Sequence, residues 1–265
     1  MFLFCIFVFI LGAIIGSFLN VVILRHNTGE SIIKGGSRCF ICGNKLKWRE
    51  LIPIFSFIAQ KGKCRNCGSK ISLQYPLVEF LTGLVFLLVF LKFYATFYFL
   101  LSTFYYFIIF SILIVIAVYD LRHQIIPNEF VYSFITLSFF SIFFENWDLF
   151  RNFKLEIRNF DLWSQFLAGI IFFAFFGLMW LAPRGKWMGL GDAKLALGIG
   201  WLFGFSKGIP ALLLAFWIGA AVGIFLLIFF KKSYNIKSKL AFGPFLALGT
   251  LIAFLFGETI INLII

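Results

Sequence analysis

Phe107-Ile108-Ile109-Phe110-Ser111-Ile112-Leu113-Ile114-Val115-Ile116-Ala117-Val118-Tyr119-Asp120 decides what kind of chain this is. It belongs to an apolar run over 97–119, long enough to cross the hydrocarbon of a bilayer, and the run ends on a carboxylate. Further along, Gly189-Leu190-Gly191-Asp192 places a second carboxylate at the head of another apolar run. Holding either acid at membrane depth costs about 2.5 kcal/mol or more, so such residues mark functional sites by default. Two at matching depth point to a shared site.

Outward from this stretch, apolar runs recur at 2–24, 76–91, 130–144, 164–182, 193–206, 208–230 and 243–265. They predict an all-α membrane protein of about eight transmembrane helices, with one sizeable polar loop, 25–75, between the first and second spans. Composition agrees: 62% of the 265 residues are hydrophobic, 13% are charged and the mean hydropathy is +1.01, which excludes a soluble globular class. Residues 1–24 lack a basic leader and a small-residue cleavage site, and read as a span that stays.

The net charge of +12 invites a nucleic-acid partner, but its placement argues against one. With eight spans, the first loop and its side of the membrane hold eighteen Lys and Arg, ten of them within 25–75, against five on the other side. The positive-inside rule then makes that loop cytoplasmic and puts both Asp120 and Asp192 at the cytoplasmic boundary. The charge is topogenic, with some attraction to anionic lipid, so the expected partner is the bilayer and not nucleic acid. The stretch 145–163 reads as an ordinary solvated connection on the opposite side. Three regions follow: 1–24 as the first transmembrane helix, 25–75 as a cytoplasmic cysteine-rich loop, and 76–265 as a seven-helix core carrying both aspartates.

Within the loop, Cys39-Phe40-Ile41-Cys42 and Cys64-Arg65-Asn66-Cys67 are two C-x-x-C pairs, each followed by a glycine. Two such knuckles bring four thiolates into the tetrahedron that structural zinc prefers. Metal binding would supply folding free energy that so small and polar a loop cannot obtain from a core. A disulfide reading is weak on the reducing side of the membrane; redox cysteines remain the other reading.

Paired carboxylates suit aspartic proteolysis. One, ionised, takes a proton from water, while the other, protonated, polarises the scissile carbonyl and protonates the leaving amine. Gly189 and Gly191 let the backbone bend and approach a neighbour just before the second acid. The bland reading of each acid alone is a helix-end cap or an ion pair, for instance with Arg122 or Lys194. A transporter binding protons or cations is a third reading, but it predicts acids nearer the midplane and a repeat relating the two halves. Glu79 stands open as a site residue, the partner of a loop lysine, or an interfacial group.

Taken together, these segments resemble the type 4 prepilin peptidases over nearly the full length. The matching stretches are Gly16-Ser17-Phe18-Leu19-Asn20, the cysteine pairs, Ile52-Pro53-Ile54, Tyr75-Pro76-Leu77-Val78-Glu79, Asp120 with His123-Gln124-Ile125-Ile126-Pro127, Gly189-Leu190-Gly191-Asp192-Ala193-Lys194, and Phe242-Gly243-Pro244-Phe245. Phe40, Leu51 and Ala241 depart from residues common in the family. The resemblance implies cleavage of prepilin or pseudopilin leaders after a glycine, at the cytoplasmic face of the bacterial inner membrane, in pilus, type II secretion or competence systems. It also implies methylation of the new N-terminus from S-adenosylmethionine. Asp120 and Asp192 match the catalytic pair, and Gly62 matches a glycine tied to methyl transfer; no glycine-rich nucleoside cradle is evident in the sequence itself. Two related protease groups fit less well. Presenilin-type proteases share Tyr-Asp and Gly-Leu-Gly-Asp but have no place for the cysteine loop. Archaeal preflagellin peptidases generally lack that loop and do not methylate.

Overall fold

The computed structural model describes residues 1–94, 99–145, 159–182, 188–229 and 240–264. Its helices follow the apolar runs. They are α1 (Phe2–Arg25), a short α2 (Phe55–Ala59), α3 (Gln74–Phe93), α4 (Phe99–His123), α5 (Asn128–Glu145), α6 (Asn159–Leu181), α7 (Leu190–Phe229) and α8 (Gly243–Ile264). Among the described residues there is no strand, only two isolated bridges within the cysteine loop. Five helices are long and apolar enough to cross a membrane, and 128–143 and 243–257 form shorter apolar helices. The chain is therefore an all-α, multi-pass membrane protein. Most of the connection at 145–163 lies outside the described residues, as do Arg184, Lys186 and the lysines at 231–239.

The longest helix, α7, is broken. Gly204 sits at φ 64°, ψ −161°, inside a 40-residue helical stretch, and divides it into 190–203 and 205–229. Hydropathy had placed that division at Lys207, between the runs 193–206 and 208–230. The break falls instead where a residue without Cβ adopts a backbone that other residues rarely reach. Counting its two parts separately, the described residues contain the eight apolar helical segments expected.

Backbone contacts divide the chain into two compact units, Met1–Val115 and Ile116–Ile265. In the first, α1 packs along α3. The face of α1 carrying Phe7, Ile10, Ile14 and Phe18 is exposed, while Gly12, Ala13, Gly16, Leu19 and Asn20 face inward. Apolar outside and small or polar inside is the pattern of a lipid-solvated helix, where close backbone approach replaces the hydrophobic drive. A Cβ at Gly16 would stand 2.8 Å from the Cα of Glu79, so the crossing depends on the glycine. At the end of α1, Arg25 latches the following loop by donating to the carbonyls of Ser31 (2.7 Å) and Gly36 (3.1 Å).

In the second unit, α7 is the central element, packed by α5, α6 and α8. Side chains of its first part, Ala193, Leu195, Ala196 and Ile199, are wholly or almost wholly buried, and Asp192 opens that buried face.

Candidate active site and metal centre

Asp120 lies in the last turns of α4, and its carboxylate is buried (4% exposed). That position is unfavourable within its own helix, whose C-terminal end carries the negative end of the macrodipole. The compensation comes from another helix. The backbone N–H of Gly243, first residue of α8, donates to Asp120 Oδ2 at 2.9 Å, so the carboxylate faces the positive end of α8. Pro244 follows at a helix position whose missing N–H costs nothing.

Asp192 lies in the first turn of α7 and is equally buried (6% exposed). The helix begins at Leu190, earlier than the glycine run suggested, so Asp192 is already helical. Gly189 N–H donates to its Oδ2 at 3.1 Å, and its own N–H donates back to the Gly189 carbonyl at 3.2 Å. The other oxygen, Oδ1, is buried and has no hydrogen-bond partner. A buried acceptor left unmatched is uncommon and calls for an explanation such as a catalytic water or proton.

Gly191 explains how the two acidic segments meet. A Cβ there would stand 2.8 Å from the Cβ of Ile126, so its absence lets the segment after Asp120 lie directly on the head of α7. Lys194 takes no part: its Nζ donates to Asn128 Oδ1 (2.8 Å) and Tyr132 Oη (3.0 Å) and lies 4.8 Å from the Tyr132 ring centroid. The bland reading thus holds in one respect, since both carboxylates accept an amide at a helix start, and fails for the Lys194 ion pair. Sequence reasoning missed the Gly243 amide, although the Gly-Pro pair opening an apolar run was a usable signal. Ile126 gave none.

In the first unit the four cysteines converge: the Sγ atoms of Cys39, Cys42, Cys64 and Cys67 lie within 4.8 Å of one another. Cys39 and Cys67 are 3.8 Å apart, close to the edge of a tetrahedron built on Zn–S distances of about 2.3 Å. The two knuckles are built alike. Gly43 N–H donates to the Cys39 carbonyl and Gly68 N–H to that of Cys64, both at 2.9 Å, with both glycines at φ 69°. Amides of Cys42 and Ile41, then the Ser69 hydroxyl, pull the Cys39 thiol down to about 6. The Ser69 hydroxyl and amide lower Cys67 as well. Cys64 is also drawn down by the Cys67 and Asn66 amides, but burial and the neighbouring Cys39 and Cys67 thiols outweigh them and raise it. Thiol count, spacing and donors fit a thiophilic ion.

Gly62 lies beside this group. Its φ of 67° ends the turn after α2, its N–H donates to the Phe57 carbonyl (3.0 Å), and its carbonyl accepts from Ile71 (2.8 Å). A Cβ would meet the Phe57 ring at 3.1 Å. Glu79, left open by the sequence, has a definite partner: its Oε2 accepts the Ile54 amide at 2.6 Å.

Fold and site together define a multi-pass membrane protein with two buried carboxylates in one unit and a four-cysteine centre in the other. Residues 10–93 match the Bacterial Peptidase A24 N-terminal domain, and residues 107–224 match the Type IV leader peptidase family. A Bacillus subtilis protein named prepilin leader peptidase/N-methyltransferase is 33% identical, over 96% of this chain and 95% of its own length. One of that name from Myxococcus xanthus is 34% identical over 85% of this chain, which spans 64% of that relative. An Escherichia coli type 4 prepilin-like proteins leader peptide-processing enzyme is 32% identical over 90% of this chain and 88% of its own. No solved structure matches. The chain belongs to the type IV leader peptidase family.

Proposed function

We propose that the chain cleaves the leader from type IV prepilins or pseudopilins and methylates the new N-terminus, with Asp120 and Asp192 as the hydrolytic pair. The observation that carries the proteolytic half is the buried, unmatched Oδ1 of Asp192, on a helix head that packs at Gly191 against Ile126 of the segment following Asp120. Each carboxylate has Oδ2 held by one backbone amide, which fixes its orientation. A water on the unmatched Asp192 oxygen would lose its proton to the ionised member of the pair. The protonated member would polarise the scissile carbonyl and then protonate the leaving amine. Like charges so placed titrate as a unit.

The substrate class comes from the relatives' names, and the charge distribution supports the geometry. The abundance of Lys and Arg in 25–75 supports a cytoplasmic position for the ends of the spans bearing both acids. There the basic leader of a prepilin meets its apolar helix. The membrane in this reading is the bacterial inner membrane.

Cys39, Cys42, Cys64 and Cys67 would hold zinc, which when bound supplies a cross-link between the two knuckles. The methyl donor, S-adenosylmethionine, is a substrate inferred from the family resemblance. We assign methyl transfer to the 25–75 loop, with Gly62 at its centre, and proteolysis to 76–265.

The test is N-terminal mass measurement on a prepilin incubated with purified protein and S-adenosylmethionine. Wild type should remove the leader and add 14 Da, the mass of one methyl replacing hydrogen (about 14 Da by stoichiometry). Asp120→Asn and Asp192→Asn should each leave the precursor intact. Full cleavage by either variant would end the assignment.

A further inference from the structure

Glu79 sits in the apolar helix α3 and is 6% exposed. A carboxylate buried in such a helix is costly unless it is put to use. The proteolytic mechanism above has no role for it. Its Oε2 accepts the backbone N–H of Ile54 at 2.6 Å, from a residue 25 positions earlier in the loop. The Gly16 crossing brings the α3 backbone at Glu79 against α1, so the acceptor is held on rigid elements.

The partner is itself unusual. Ile54 has φ 61°, ψ −52°, and the Phe55 N–H turns back to the Pro53 carbonyl. This is the geometry of the strained form of the three-residue γ-turn. A β-branched residue avoids left-handed backbone and persists there only where its surroundings over-determine it. The contact with Glu79 supplies that determination.

What Ile54 fixes leads to the cysteines. It is the residue on which α2 (Phe55–Ala59) starts. Phe57 of α2 accepts the Gly62 amide, and its ring fills the space beside Gly62. The Gly62 carbonyl then pairs with Ile71, closing the hairpin that presents Cys64 and Cys67.

We propose that Glu79 is a positioning residue for the cysteine loop. By accepting the Ile54 amide it holds the γ-turn, sets α2 against Gly62, and so aligns the second knuckle for methyl transfer. The proposal rests on the assignment of methyl transfer to this loop. Leader cleavage does not pass through Glu79.

The experiment compares Glu79→Leu, Glu79→Gln and the double variant Glu79→Leu with Ile54→Gly, each full-length, zinc-loaded and in lipid. Cleavage and methylation are read from one prepilin digest. Glu79→Leu removes the acceptor and should lower methylation by roughly tenfold or more, with cleavage retained. Glu79→Gln keeps an oxygen acceptor and should methylate within about threefold of wild type. Ile54→Gly removes the strain, because glycine adopts φ of 61° freely, and should restore much of the loss in the Leu background. A purely structural role for Glu79 would not be relieved by a glycine in another segment.

Wild-type methylation by Glu79→Leu would overturn the proposal, and so would equal losses in Gln and Leu, or no recovery in the double variant. A second readout is independent of methyl transfer. In metal-free protein, Glu79→Leu should speed alkylation of buried Cys64, and Ile54→Gly should slow it again. If wild type cleaves but adds no methyl, the loop's assigned activity fails, while the alkylation series still decides the role of Glu79. Unchanged Cys64 alkylation in Glu79→Leu would count against it.

Discussion

The backbone N–H of Gly243 and the Oδ2 of Asp120 are 2.9 Å apart, although 123 positions separate them in the chain. A Cβ on residue 243 would stand 2.8 Å from that same oxygen. The amide can reach the carboxylate only because the donor is glycine. Gly243→Ala is therefore expected to displace the Asp120 carboxylate. A misplacement near 1 Å can cost roughly a hundredfold in rate, so leader cleavage should fall by about that factor with zinc content unchanged. Cleavage assays beside metal analysis check it; wild-type rates would mean the amide does not orient the acid.

If Asp120 and Asp192 work on one water, their effects cannot add. Groups acting as a unit lose nearly everything with the first substitution. Asp120→Asn with Asp192→Asn together should be no slower than the more damaging single variant, measured as residual kcat on a prepilin. A double variant slower by the product of the single effects would mean independent roles.

The spans and both candidate centres were legible in the sequence because hydrocarbon demands long apolar runs and makes every acid within them conspicuous. The cysteine pairs were equally plain, since C-x-x-C-G fixes a local turn that needs no long-range information. What was illegible is pairing through backbone. Asp120 turned out to be bonded by Gly243, Glu79 by Ile54, and the clearance at Gly191 is filled by Ile126. An amide or an aliphatic side chain leaves no trace of charge or periodicity by which its partner could be found. Gly204 was missed for a related reason: the polar Ser206-Lys207 marks a change of solvent preference, while the break in α7 lies where the backbone conformation suits glycine.

The thiols make a prediction about metal-free protein. With Cys39 lowered to about 6, it is about nine-tenths thiolate at pH 7, whereas Cys64 is raised and buried. Only the thiolate is nucleophilic. After chelation, iodoacetamide at pH 7 should modify Cys39 first and Cys64 last, about tenfold apart or more, as read by peptide mass. Lowering the pH below about 6 protonates Cys39 and should slow its own modification, whereas raising the pH through the ordinary thiol range ionises the other cysteines and should narrow its lead. Zinc should protect all four, and acid should release it, because protons compete for the same sulfurs. In parallel, Cys39→Ser should lose zinc and methyl transfer while part of the cleavage activity persists. Zinc retention by a Cys39→Ser, Cys64→Ser variant would show that the ion sits elsewhere.

Lys194 distinguishes a counter-ion from a clamp. It lies two positions after Asp192 but bonds Asn128 and Tyr132, joining the first turns of α7 and α5. Were it the partner of Asp192, removing its charge would destabilise the carboxylate. The acid limb of the cleavage profile would then move to higher pH. As a clamp, Lys194→Met removes two hydrogen bonds and a cation–ring contact at a partly exposed position. The expected cost is about 1 kcal/mol of stability and no movement of the acid limb. A thermal melt in detergent and a pH–rate profile for kcat separate the two. A shift of the acid limb to higher pH in Lys194→Met would return Lys194 to the acid pair. An unmoved limb with a lower melting temperature would leave Asp192 with only the Gly189 amide and its unmatched oxygen.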